Sequence, residues 1–280
     1  MNAEAQARAD IVEVGRRLWE RGYVASNDGN ISVRLDAGRL VTTPKSVSKG
    51  FMTPDMMVVT DLDGRKIAGE RDPSSELKMH LEVYRHRPDA RAVVHAHPPT
   101  ATGFAVAGIP LDRAVLAEVI TTLGSIPIAE YATPSTQELP DAVRKYVKAH
   151  DGLLLANHGA LAIAGDVMSA YYRMETIEHF AKISLVAHTL GREHLLSRDE
   201  VARLQGLRGM YGIASPAPIC TDDAPVAAGQ LDCQVVQAPD SPDRLVAHHP
   251  QPPAGSTDGE IRLTYRELTA LIEDALRALK

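Results

Sequence analysis

Two histidines, two residues apart, close the apolar run Arg91-Ala92-Val93-Val94-His95-Ala96-His97-Pro98-Pro99. In an extended strand, residues i and i+2 point to the same face, so His95 and His97 would aim two imidazoles at one point. The prolines end the strand, because neither can donate to a ladder. Such a pair is half of a metal site, or else two packed or solvated side chains. His158 sits similarly, between the buried-type run Leu153-Leu154-Leu155-Ala156 and Gly159, as a ligand or as a hydrogen-bonded core residue. Three neutral imidazoles would leave one position open on Zn²⁺, the arrangement of catalytic rather than structural sites. Glu76, in the first turn of an expected helix, could stand beside that position as a base, or simply profit from the helix dipole.

Three further stretches hold materials for an anion. In Ala25-Ser26-Asn27-Asp28-Gly29-Asn30, small polar residues surround a glycine, as in an Asx-type turn or a nest of backbone N–H groups. Pro44-Lys45-Ser46-Val47-Ser48-Lys49-Gly50 carries two lysines and two hydroxyls, suited to a phosphate or to an ordinary solvated loop. It lacks the spacing of a P-loop. Ser74 and Ser75 offer hydroxyls next to the free N–H groups of a helix start.

These groups need a scaffold, and the hydrophobic pattern supplies one. Ala3 to Arg21 reads as an amphipathic helix through Ile11, Val12, Val14, Leu18 and Trp19, with Gly22 as its C-cap. Strands are expected up to Arg34, at Arg39–Thr43 and at Met56–Asp61, the last followed by an Asp63-Gly64 hairpin turn. A second helix is expected to open with Asp72 as cap and Pro73 in its first position, turning Leu77, Leu81 and Tyr84 to the core. His80, one turn after Glu76, is expected to pack or hydrogen-bond rather than ligate. Beyond the His-x-His strand follow a short helix from Thr100, a strand at Ser125–Ile128 and a helix from Gln137 to His150. Two strands then flank His158, and a long helix runs from Ser169 to Leu190.

Composition narrows the class. The 280 residues carry 44% hydrophobic side chains, enough for a substantial core, and a net charge of −6, which argues against a nucleic-acid binder. No apolar run is long enough for a membrane span, and no secretory h-region opens the chain. With only Cys220 and Cys233 as thiols, a cytoplasmic location is expected. Eight of the 18 prolines fall between Ile213 and Asp258, so 213–258 reads as a proline-rich linker or irregular tail. It would join a catalytic domain over 1–212 to a C-terminal amphipathic helix over 259–280, which carries Leu268, Leu271, Ile272, Leu276 and Leu279.

In their order, several short motifs make the chain resemble the class II aldolase/adducin family, especially its L-fuculose-1-phosphate aldolase-like members. They are Asn27-Asp28-Gly29-Asn30-Ile31-Ser32-Val33-Arg34, Thr43-Pro44 with its lysine-serine loop, Pro73-Ser74-Ser75-Glu76, His95-Ala96-His97, Tyr131-Ala132-Thr133 and Asn157-His158-Gly159. The resemblance implies an α/β fold, a three-layer α/β/α sandwich around a central, mainly antiparallel sheet. It implies His95, His97 and His158 as ligands of one divalent metal per subunit, Zn²⁺ being expected and Mn²⁺, Co²⁺ or Fe²⁺ alternatives. Glu76 is implied as the acid/base, and Asn30, Ser46, Ser74 and Ser75 as phosphate-binding positions flanked by Asn27 and Gly29.

The implied enzyme is a lyase that cleaves a ketose 1-phosphate by a retro-aldol step to dihydroxyacetone phosphate and an aldehyde. A homotetramer with sites at subunit interfaces is implied as well. Lys45-Ser46 stands where family aldolases usually carry a small residue and glycine, so Lys45 adds charge to the phosphate contact or marks a different anionic group. The family draws an acidic tyrosine from a neighbour's C-terminal region; Tyr211 and Tyr265 are candidates, and neither is assigned. A ribulose-5-phosphate 4-epimerase-like enzyme is the nearest rival, although such epimerases usually have aspartate at the Glu76 position. A related dehydratase or decarboxylase is another, and an adducin-like interaction module without catalysis is the non-enzymatic one.

Overall fold

The computed structural model of the chain describes residues 2–213 and, further on, the backbone of 234–238 and 241–248. Its sheet has eight strands: β1 (Asn30–Arg34), β2 (Arg39–Thr42), β3 (Val58–Asp61), β4 (Lys66–Ala68), β5 (Ala92–Ala96), β6 (Ile128–Ala129), β7 (Gly152–Leu155) and β8 (Gly159–Ala164). They lie side by side in the order β4-β3-β2-β1-β5-β8-β7-β6. All neighbours are antiparallel except β6 and β7, so the sheet is mainly antiparallel, as expected.

Alternation along β5 divides the core in two. Ala92, Val94 and Ala96 face one way, toward α1 (Ala3–Glu20), α3 (Pro99–Ala107), α4 (Ala117–Thr122) and α6 (Val167–Thr189). Val93 faces the other way, with Leu161 and Ile163, toward α2 (Leu77–His86) and α5 (Glu138–Val147). Helices on both faces bury β5 and β8 completely. That is why both strands read as unbroken apolar runs instead of alternating. The result is the α/β/α sandwich. A further helix, α7 (Arg198–Gly206), starts at a capping box of Ser197 and Glu200.

Two junctions bear on the site. After α1 the chain reverses at Gly22, whose φ of +70° is in the left-handed region. Gly22 N–H donates to Trp19 O and Tyr23 N–H to Leu18 O, the pairing that closes a Schellman turn. Tyr23 O then accepts from His97 N–H at 2.8 Å, which ties the end of α1 to the His-x-His segment.

The second junction corrects the reading of Asp72 and Pro73 as a helix start, since α2 begins only at Leu77. Lys45 N–H donates to Asp72 O at 2.9 Å, Ser74 N–H donates to Thr43 O at 3.1 Å, and Pro73 bridges Pro44 in antiparallel fashion. Helical dihedrals at 72–74 would break this pairing with the loop after β2. Glu76 thus becomes the residue at the helix N-cap, with its side chain uncommitted to the helix backbone.

Within 213–258, where an irregular tail is expected, β9 (Gln234–Ala238) and β10 (Ser241–His248) pair as an antiparallel ribbon. The expected helix over 259–280 lies outside the described residues, as do Cys220, Cys233 and Tyr265. Among the described residues no helix is long and apolar enough to cross a membrane.

Candidate functional site

His95 and His97 leave the end of β5 on the face toward α2, and the β7–β8 turn returns His158 to the same place. Asn157 takes a left-handed φ of +56° in that turn, and His158 N–H closes on Leu155 O at 3.0 Å. Gly159 follows because nothing larger fits: a Cβ there would lie 2.5 Å from His97 Cδ2 and 2.6 Å from Ala96 O. The three rings meet with centroids 4.7–5.0 Å apart, and one ligand nitrogen from each lies within 4.8 Å of the others.

Their surroundings select which nitrogens face the centre. His95 Nδ1 lies 2.9 Å from Ala160 O; the N–H must be there, which leaves Nε2 with its lone pair. His97 Nδ1 lies 3.5 Å from Asp28 Oδ2, so its Nε2 also turns inward, 3.1 Å from His95 Nε2. Two neutral Nε2 atoms this close repel unless a proton or a cation lies between them. Tetrahedral ligands at about 2.0–2.1 Å from Zn²⁺ would be roughly 3.3 Å apart, close to the spacing seen. Burial, reinforced by the neighbouring imidazoles, keeps His95 well below the ordinary histidine range and lowers His97 as well. Neutral rings are the form that binds metal.

Glu76 completes the cluster. Its Oε1 lies 3.2 Å from His158 Nε2, and its Oε2 lies 3.5 Å from His95 Nε2 and accepts from Asn30 Nδ2 at 2.7 Å. Burial disfavours the charge, but positive charge on the His95 and His158 rings, when a proton rather than a cation lies among them, and the Asn30 amide outweigh it and hold the carboxyl below its usual range. Asn30 is in place because its β1 position lies directly across from His95 on β5. Two residues on, Ser32 Oγ meets His80 Nδ1 at 2.7 Å and Tyr84 Oη at 2.8 Å, all buried. The β1 period of two and the α2 period of four thus run as matched polar rungs, Asn30 on Glu76 and Ser32 on His80 and Tyr84. His80 is accordingly a hydrogen-bonded neighbour, held neutral by burial at about 4.

A cavity of about 270 Å³ opens beside the rings. It is lined by Asn27, Gly29 and Asn30, by Lys45 and Ser46, by Ser74 and Ser75, and by Glu76, His97 and His158. The structure therefore gathers all three candidate anion stretches at the histidine cluster. Gly29, at φ +74°, has no room for a Cβ, which would lie 2.8 Å from His95 O. Four lining residues are not among the site members expected from the sequence: Asp28, Pro44, Lys49 and Ser135. Asp28, Pro44 and Lys49 lie inside stretches already noted, and Ser135 has a left-handed φ of +66° that no local pattern signals. Tyr211 ends a short 3₁₀ turn, is exposed and does not line the cavity.

The family described as Class II Aldolase and Adducin N-terminal domain matches residues 9–185. The 5-deoxy-D-ribulose 1-phosphate aldolase of Bacillus thuringiensis serovar kurstaki is 35% identical over 207 residues, covering 73% of this chain and 96% of its own. The 3-oxo-tetronate 4-phosphate decarboxylase of Pectobacterium atrosepticum is 30% identical over 210 residues, covering 73% and 94%. A solved structure of an L-fuculose 1-phosphate aldolase superposes with a TM-score of 0.69 at 31% identity, covering 74% of this chain and 97% of that one.

Proposed function

The chain belongs to the class II aldolase and adducin family, and from that membership we propose a divalent-metal lyase that cleaves a ketose 1-phosphate to dihydroxyacetone phosphate and an aldehyde. The observation that carries the reading is the convergence of His95, His97, His158 and the Glu76 carboxyl beside a cavity that His97, His158 and Glu76 line together with amides, hydroxyls and lysines. A divalent cation held by His95, His97 and His158 would supply Lewis acidity toward the substrate's carbonyl and adjacent hydroxyl. Zn²⁺ suits three imidazoles best, with Mn²⁺, Co²⁺ or Fe²⁺ as alternatives.

The residues of the chain do the rest. Glu76, anchored through Oε2 by Asn30 and with Oε1 beside His158 Nε2, would carry the proton on the donor carbon. In the condensation direction it takes that proton, and in cleavage it returns it. Asp28 holds His97 through Nδ1, and the Ala160 carbonyl holds His95. Asn30, Ser46, Ser74 and Ser75, flanked by Asn27 and Gly29, would take the phosphate, with Lys45 adding charge at the exposed edge. We place the catalytic unit at residues 1–212, in a cytoplasmic homotetramer; light scattering on the eluted protein tests the assembly.

The similarity to a decarboxylase favours a second reading on the same residues, in which a carboxylate next to the enolate-forming carbon leaves in place of an aldehyde. A panel of ketose 1-phosphates and of phosphorylated 3-oxo acids separates the two. Aldehyde release supports the aldolase and carbon dioxide the decarboxylase; an isomer with neither product would favour the 4-epimerase and overturn both.

A further inference from the structure

We infer that Lys49, rather than Lys45, is the principal cation for the anionic head group of the substrate, a phosphate-class dianion bound in the cavity beside the histidine cluster. The inference rests on the anion-binding reading of that cavity given above.

Lys49 is 2% exposed. Lysines are almost never buried to that degree unless a partner offsets the charge. Its Nζ donates to Asn27 O at 2.9 Å and to Val47 O at 2.6 Å. These are neutral carbonyls: they satisfy two N–H bonds and leave the charge itself unanswered. Among the described residues no carboxylate lies within ion-pair distance of Nζ. Yet Lys49 lines the cavity together with Asn30, Ser46, Ser74 and Ser75, hydrogen-bonding groups suited to phosphate oxygens. The two carbonyls it holds belong to the two loops that bring Asn27 and Ser46 to this wall, and Ser46 is kept there at a left-handed φ of +58°.

The charge has thus been carried into a low-dielectric wall, where it acts strongly on a bound anion. Burial lowers Lys49 to about 8, opposed by Asp28 and Glu76, so the ammonium persists at neutral pH. Lys45 is exposed, and water and salt screen its contribution.

The test is calorimetric titration of the full-length, metal-loaded protein with inorganic phosphate, for the wild type, Lys49→Met and Lys49→Arg. Lys49→Met should weaken phosphate binding by about tenfold or more, the worth of one charge-assisted contact, and Lys49→Arg should stay within about threefold. Between pH 7.5 and 9.5 the wild type should lose at least about fivefold in affinity as the lysine deprotonates, whereas Lys49→Arg should hold. Asp28, Glu76, Lys45, His97 and His158 border the same cavity and are common to both proteins, so the difference reports on position 49. A pH profile shared by wild type and Lys49→Arg would overturn the inference even if Lys49→Met failed to fold. Equal losses in both variants would make Lys49 a strut between loops. Wild-type affinity in Lys49→Met would overturn the assignment and leave the cavity reading standing. A wild type that binds no phosphate would overturn both.

Discussion

Gly159→Ala is a one-carbon change that should dismantle the histidine cluster. The new Cβ would sit 2.5 Å from His97 Cδ2, 2.6 Å from Ala96 O and 3.3 Å from His95 Cε1, while ordinary contact begins at 3.4 Å. The His97 ring could swing aside, but only by leaving its place between Asp28 and His95. Ala96 O cannot: it belongs to the central strand β5, paired to Ala160 on β8. The strands must part instead, which also strains the His95 Nδ1 contact to Ala160 O. Overpacking of this kind costs about 1–3 kcal/mol, which for a domain of this size lowers the melting temperature by roughly 2–12 °C. Displacing the rings should weaken metal affinity by about 10–100-fold, the usual effect of disturbing the groups that orient ligands. Competition against a chromophoric chelator reads the affinity, and calorimetric melting with and without metal reads the stability. The loss should be larger with metal present, because weaker binding also removes the ligand's contribution to stability. Wild-type metal affinity in Gly159→Ala would show that the packing of the three rings around this glycine is not what builds the site.

Three other changes probe the surroundings. Glu76→Gln should cut kcat by about 10²–10⁴-fold, the range for losing a general acid–base, yet retain one metal per chain; turnover like the wild type's would remove Glu76 from proton transfer. Ser32→Ala strips the rung shared by His80 and Tyr84, which should cost about 1–3 kcal/mol and lower kcat more than metal content, since α2 carries Glu76; an unchanged kcat would sever the link between the rungs and the carboxylate. Lys49 binds its proton less tightly folded, at about 8 against 10.5, so the unfolded chain holds more protons between those values and stability should rise with pH across that window. The gain is roughly 3 kcal/mol from this group, flattened in Lys49→Met; identical slopes in urea melts at pH 8 and 10 would contradict the burial of its charge.

How much of this was legible in the sequence varied with the range of the interaction. His95 and His97 were readable because a strand fixes their common face, and Val93-Val94 marks the strand. Leu77, Leu81 and Tyr84 gave away the buried side of α2 in the same way. The start of that helix was misread because Asp72 and Pro73 are good local signals, while the bonds that overrule them come from Thr43, Pro44 and Lys45, about thirty residues earlier. Lys49 and Lys45 look alike in sequence; only the packing of two loops around Asn27 O and Val47 O buries one of them. The pairing of β9 with β10 is hidden in the sequence by prolines on either side of Val235-Val236. The Ser197–Glu200 box of α7 is a local signal, three residues apart, that the sequence carries in full.

The central claim is that one divalent cation sits among His95, His97 and His158. X-ray diffraction above and below the absorption edge of the metal found in the purified protein tests it most directly. The account predicts one anomalous peak per chain, within about 2.0–2.2 Å of one nitrogen from each of the three rings. Metal analysis showing none, or a peak held by other residues, would contradict it.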